Sequence, residues 1–465
     1  MRKILSYLIT LMLLCFFAAC SDEESFSTST SNRLTFSDDT VSFDTVLTNV
    51  GSSTKRVRVF NNNNDGIRIK NVRLGSGGTS GFRINVDGQS GVSLNDVEIL
   101  KKDSIFMFID LTAQANDSNT PVAIKDSIIF TLESGVTQQM ILQAEGQDVI
   151  TLQGKRYAKG ENAILTATRP YLIYDSLKVD SGATLTIEAG ATLFFHSKTS
   201  IIVDGTLNIK GTADKMVTLR GDRTDRMFTY LPYDRIDGQW GGIYFTSKSV
   251  GNTIEYADIH GGDNAIVCDE SGTDKCKVSI SNSIIHNFNG YCVYSVNNKM
   301  EFENTQISNA RKNCLNFTGG LYTFNYCTIA QFNAFHSDRG YAFYGWNYVI
   351  NEKNDSIAYP LDVNMVNTIV TGYSTDEIIV AMPYSKAPYI LSFDYCLLNT
   401  DITGMDKYIT INVSNCNFDT KDNEVYRAKN FKCVDTSIYM YDFHLDSLSL
   451  ANNKSKEGKN IGCYQ

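Results

Sequence analysis

"ISNSIIHN", residues 280–287, and "FENTQISN", residues 302–309, share a six-position template: apolar, any, Asn, small, any, Ile. With Tyr allowed at the third position, the template also fits residues 254–259, 324–329, 365–370, 393–398 and 413–418. The last residues of successive copies lie 26, 22, 22, 41, 28 and 20 positions apart, so the period is near 22, with insertions and one gap long enough to hold an unrecognised copy. A repeat of this size signals a solenoid. Residues one period apart then sit above one another at the strand spacing of roughly 4.8 Å. The template becomes a set of columns. Ile254, Ile280, Phe302 and their successors line the interior, as do Ile259, Ile285 and Ile307. Ala257, Ser283, Thr305, Cys327, Thr368, Cys396 and Cys416 form a column where only small side chains fit, and the Asn residues between are read as stacked amides that satisfy a turn.

Length and composition agree with this reading. A chain of 465 residues is too long for one compact core, and 42% hydrophobic residues argue against disorder. Only six prolines among many Asn, Asp, Gly, Thr and Tyr suit short strands joined by turns. The formal charge of -9 without a basic block excludes nucleic acid as a natural partner.

The chain opens "MRKILSYLITLMLLCFFAACSDEE": two cations, an apolar run over 4–17, then small residues up to Cys20. This is the pattern of an export signal. "FAAC" resembles the lipobox of bacterial lipoproteins, which implies a signal peptide over 1–19, cleavage before Cys20 and diacylation of that cysteine. The acidic "SDEE" after it resembles the surface-export signal of some Gram-negative gut bacteria, implying an outer-membrane protein, lipid-anchored and facing the cell exterior. Residues 20–32 read as an acylated tether. Over 33–149 the stretches "RVRVFNN", "IRIKNVRL", "SIFMFIDL" and "SIIFTL" alternate in polarity and predict a β-sandwich. Their layout resembles the Ig-like domains that precede β-helices in surface lipoproteins.

"LKVDSGATLTIEAGATLFFHSKTSIIVDGTLNIKGT", residues 177–212, places Gly182, Gly190 and Gly205 at turns between strands ending in Val179, Ile187, Phe195 and Val203. The passage resembles the repeats of the pectin-lyase-like superfamily. That resemblance implies an all-β chain with a right-handed parallel β-helix over 150–465, which "YDFHLDSLSLANN" and "IGCYQ" close as a C-terminal capping segment. The superfamily includes lyases, hydrolases, isomerases, adhesins and proteins without known activity, so fold alone does not assign a function.

Of the eleven cysteines, setting aside Cys15 and Cys20 leaves nine, without paired metal-binding spacings. Cys327, Cys396 and Cys416 are expected as buried thiols, whereas Cys268 and Cys276 flank the short stretch "CDESGTDKC" and are the disulfide candidates. The candidate recognition site is "RGDRTDRMFTYLPYDRIDGQW", residues 220–240. There Arg223, Arg226, Tyr230, Tyr233, Asp234, Arg235, Asp237 and Trp240 combine ring faces for stacking on sugar with forked donors for its substituents. Four Asp in the stretch can neutralise its four Arg, so an ion-paired loop that secures its own fold is the reading favoured over recognition. His260 and His286 occupy equivalent positions in successive coils near Asp258; they are read as exposed and unpaired rather than as metal ligands, and His196, His336 and His444 have no evident partner. No catalytic residue is assigned and no cofactor is implied. Binding of glycans or a surface protein partner is the leading expectation, and cleavage of an acidic polysaccharide by a lyase or glycoside hydrolase is the alternative. Ca²⁺ enters only for the lyase.

Overall fold

The computed structural model describes residues 25–381, 383–402, 407–419 and 427–464, so the signal peptide and Cys20 lie outside the described residues. The chain divides into two compact units, 1–147 and 148–465. The first is a sandwich of two five-stranded sheets. Its pairings are antiparallel except between Thr40–Leu47 and Thr137–Gln147, which run parallel. Alternate residues such as Val57, Val59, Ile69, Met107, Ile109 and Phe130 fill the space between the sheets. Phe26, assigned by composition to the tether, instead bridges Gly66 and lies under Arg68.

The second unit is a right-handed parallel β-helix. Its walls are three all-parallel sheets of eleven, nine and ten strands, called sheets 1, 2 and 3 in the order in which the chain first enters them. Gly182 (φ 79°) and Gly190 (φ 82°) take turns that strain other residues, and a Cβ on Gly205 would lie 2.4 Å from the carbonyl oxygens of Asp180 and Ala183. The columns stack as the spacing predicts. Ile254, Ile280, Phe302, Phe324, Met365, Phe393 and Val413 pair in succession on sheet 3, and Ile259, Ile285, Ile307, Ile329, Val370, Leu398 and Phe418 on sheet 1. Phe418, on the last described strand of sheet 1, is exposed rather than interior. The 41-residue gap hides no extra copy, because Thr328–Gln331 pairs directly with Ile369–Gly372 and the surplus residues leave the wall as insertions.

Between sheets 3 and 1 the chain turns sharply, and the third template position takes the left-handed conformation in every copy. Its φ is 47° at Tyr256, 50° at Asn282, 45° at Asn304, 51° at Tyr326, 50° at Asn367, 53° at Tyr395 and 54° at Asn415. Asn is the side-chain-bearing residue that tolerates this region best, which explains the column more directly than amide stacking. Stacking is seen within the column where two Asn are adjacent, with Asn304 Nδ2 donating to Asn282 Oδ1 at 2.7 Å. The small column does more than fit. Ser283, Thr305, Cys327, Thr368 and Cys416 each donate to the carbonyl two residues earlier. Ser283, Thr368 and Cys416 also accept the amide of the preceding coil. Hydroxyls and thiols thus satisfy backbone groups that the turn removes from the ladder.

Among the described residues, the C-terminal segment lies beside the coils and not over the end of the helix. Its hairpin, Phe431–Asp435 with Met440–Leu445, and the stretch to Tyr464 lie across the outer face of sheet 1. There Phe431, Phe443, Ala451 and Ile461 pack on the outward-facing Ala330, Ile369 and Leu397.

Candidate functional site

The insertion leaves sheet 1 after Val217–Gly221, forms a hairpin of Arg226–Phe228 with Leu231–Pro232, makes one 3-10 turn over Tyr233–Arg235 and enters sheet 2 at Gly242–Phe245. Its charges are engaged close to home. Arg223 forks onto Asp225 at 2.7 and 2.6 Å and lies 4.0 Å from the centre of the Tyr233 ring, while Arg220 pairs with Asp234. Arg226 donates to the Thr229 carbonyl, and Arg235 to that of Ile438 in the C-terminal hairpin. Asp237 holds His336 of another insertion at 2.9 Å. Trp240 cannot serve as a platform: it is fully buried, stacked at 4.3 Å on Phe195, and its indole donates to the His260 carbonyl. Tyr230 remains exposed at the tip, 5.7 Å from Phe228. Most of the insertion is therefore built as a clasp.

Two further expectations are corrected. Cys268 and Cys276 are free thiols. Cys268 is in the core of sheet 2, whereas Cys276 is half-buried on Gly272–Ser281 of sheet 3, so a corner of the helix separates them; burial pushes the Cys268 thiol up to about 12. The histidines, in turn, are all paired. His196 meets Asp222 at 2.7 Å, His336 meets Asp237 and His444 meets Asp442 at 2.6 Å.

His260 is buried, and His286 is directly above it in the parallel register, with the rings stacked at 4.8 Å. Asp258 Oδ1 lies 2.8 Å from His260 Nδ1 and 3.2 Å from His286 Nε2, and Asp234 Oδ1 lies 3.3 Å from His260 Nε2. Burial alone would push the His260 imidazolium down, but the two carboxylates outweigh it and hold the group up at about 9. For Asp258, burial acts upward and the two imidazoles prevail, holding it well below the usual carboxylate range. Asp258 and His286 open onto a cleft of about 320 Å³ between sheet 1 and the C-terminal hairpin, which Arg235, Gln306, Tyr441, His444 and Tyr464 also line. Tyr464 donates to Gln306 at 2.7 Å and stacks on His444 at 3.9 Å.

The outer face of sheet 2 carries a feature that the template does not cover. Its register places Ile202, Tyr244, Val267, Tyr294, Asn316, Tyr344 and Ile379 in one outward column. Tyrosine stands on every second strand, a spacing of roughly 9.6 Å. Beside Tyr294 is Tyr291 with ring centres 5.3 Å apart, and beside Tyr344 is Tyr341 at 6.5 Å. Between the two pairs lies a joined amide pair, Asn313 to Asn316 at 2.9 Å. The aromatic strip continues from Tyr344 through Trp346 and Tyr348 to Tyr384 with centres 5.8, 5.7 and 5.5 Å apart, all of them partly exposed. A signal for it exists in the sequence, since "GYCVY" at 290–294 returns as "GYAFY" at 340–344 with "NCLN" at 313–316 between.

No family model matches the chain, and no curated protein does. Among solved structures, similarity is found to the VesB protease of Vibrio cholerae (12% identity, TM-score 0.18, covering 26% of this chain and 33% of that one). A PapD-like domain of human CEP192 is similar at 8% identity and TM-score 0.19, covering 28% of this chain and 95% of the domain. A family 123 glycoside hydrolase from Clostridium perfringens is similar at 9% identity and TM-score 0.20, covering 29% of this chain and 30% of the enzyme. The chain thus spans about a third of the protease and of the hydrolase. At these scores none of the three bears on fold or activity.

Proposed function

We propose that the chain is a surface lipoprotein, anchored through Cys20 to the outer membrane, that uses sheet 2 of its β-helix to bind a glycan polymer. The observation that carries this reading is the tyrosine column. Partly exposed rings on alternate coils provide stacking faces at a fixed repeat, with the Asn313–Asn316 amide pair between Tyr294 and Tyr344, which suits an extended chain of sugars. Disaccharide repeats of extended β-linked glycans have a comparable length. The strip is mainly aromatic, with Lys312 over Tyr291 and Lys386 over Tyr384 as cations along it and, among the described residues, without a carboxylate-binding arginine fork, so a largely uncharged polymer fits it better than the acidic polysaccharide of the cleavage reading.

The test is retention on a panel of insoluble and immobilised glycans, scored also for released reducing or unsaturated ends. Tyr294→Ala with Tyr344→Ala should weaken retention on the bound polymer by about tenfold or more, at on the order of 1 kcal/mol or more per lost stacking contact, without lowering the melting temperature appreciably. Retention that survives the double substitution removes sheet 2 from consideration. Release of product is the mark of the second reading, cleavage of a polysaccharide, which the cleft favours by collecting Asp258, His286, His444 and Tyr464 in one place. For the anchor, Cys20→Ala should shift the protein from the detergent phase to the aqueous phase in a partition assay; equal partitioning of variant and wild type would remove the lipoprotein assignment.

A further inference from the structure

Three side chains on the outer face of sheet 1 converge on one point, and the glycan reading of sheet 2 makes no use of them. Asp258 and His260 project from the same side of Ala257–His260, two residues apart, and His286 projects from the next coil in register with His260. One ligand atom from each lies within 4.8 Å of the other two. Two of the three separations are 2.8 and 3.2 Å. In a tetrahedral site with bonds of 2.0–2.1 Å, neighbouring ligand atoms are roughly 3.3 Å apart; the two Asp258 pairs are near that spacing, and the two imidazole nitrogens, within 4.8 Å of each other, settle to it around an ion.

We propose that Asp258, His260 and His286 form a binding site for a single divalent transition-metal ion. Two further observations support the assignment. First, Asp234 accepts from Nε2 of His260, which fixes the ring with Nδ1 toward Asp258; a carboxylate behind a ligating imidazole is the usual outer partner of such sites. Asp234 is itself held by Arg220, so the orientation is built in two layers. Second, burial differs across the group: His260 is enclosed, whereas Asp258 and His286 are partly open to the cleft, leaving a free coordination position on the side of Gln306 and Tyr464. Two imidazole nitrogens with one carboxylate oxygen select zinc, cobalt, nickel or copper over calcium and magnesium, which prefer all-oxygen sets. The ion takes the place of the protons that the imidazoles share with Asp258, and these leave to solvent on binding. Three protein ligands with an open fourth position are the arrangement of a site that presents the metal to a further ligand.

The proposal is tested on the mature chain stripped with chelator, by calorimetric titration with Zn²⁺ and by the visible spectrum of the Co²⁺ form. One equivalent should bind, the Co²⁺ form should show tetrahedral bands without a thiolate charge-transfer band, and a tenfold excess of Ca²⁺ should not displace the metal. Asp234→Asn, behind the ligands, should lower affinity by about 10- to 100-fold, and His286→Ala by more. His286 is partly exposed, so its removal should leave the melting temperature of the chelated protein nearly unchanged; should His286→Ala fail to fold, His286→Gln replaces it. Absence of stoichiometric uptake by the wild type overturns the site and leaves a hydrogen-bonded network. Uptake unchanged by the His286 substitution, or a thiolate band, places the metal elsewhere and overturns it equally.

Discussion

Glu377 shows how much a single side chain in a corner of the coil can hold in place. It is buried, and its two carboxyl oxygens accept the backbone amides of Ala342 at 2.8 Å and Ser374 at 2.7 Å, closing the turn into the sheet 2 strand Ile378–Val380. Burial pushes the carboxyl up to about 8. Between the ordinary carboxyl value and about 8 the folded protein keeps this proton while the unfolded chain has released it. Stability therefore falls as pH rises through that window. Glu377→Gln should flatten this part of the profile, giving a smaller loss between pH 5 and pH 9 in urea melts than wild type. A difference between the two proteins that stays constant across those pH values would show that Glu377 does not titrate in this way.

Elements differ in how legible they are in the sequence. The inner columns can be read because every coil solves the same problem, an apolar interior at a fixed period, so Ile285 is foreseeable from Ile259 and Ile307 alone. Ile285→Asp buries an unpaired charge among apolar neighbours and should cost on the order of 3 kcal/mol or more. Ile284→Asp on the same strand faces the cleft and should cost less than about 1 kcal/mol. Equal melting temperatures for the two variants would contradict the register. The cleft could not be read in this way. It is assembled where the C-terminal segment meets the insertion and sheet 1, with Arg235 donating to the Ile438 carbonyl and Tyr464 to Gln306, contacts between segments that share no period. The Asn column was legible as a pattern but not as a cause, since amide stacking and the left-handed turn select the same residue and φ cannot be seen in a sequence. Trp240 is ambiguous in the sequence for a similar reason. An aromatic beside glycines suits a surface platform and an inward ring equally, and contact with Phe195, from the preceding coil, decides between them.

At the scale of the molecule, the β-helix unit has one consequence in common with other stacked repeats: each coil is supported chiefly by the coils on either side of it. The coils are equal in height along the axis and unequal in chain length, because insertions leave the wall without interrupting the ladder; copies end 22 residues apart at Ile285 and Ile307 but 41 apart at Ile329 and Val370. Under tension applied between residues 148 and 419, each coil that peels away gives up a similar set of strand pairings yet releases a different length of polypeptide. An ordinary coil of 22 residues pays out about 75 Å and the long coil about 140 Å. The force trace of this unit would then record its insertions as uneven steps in extension, a readout of where the chain departs from the repeat.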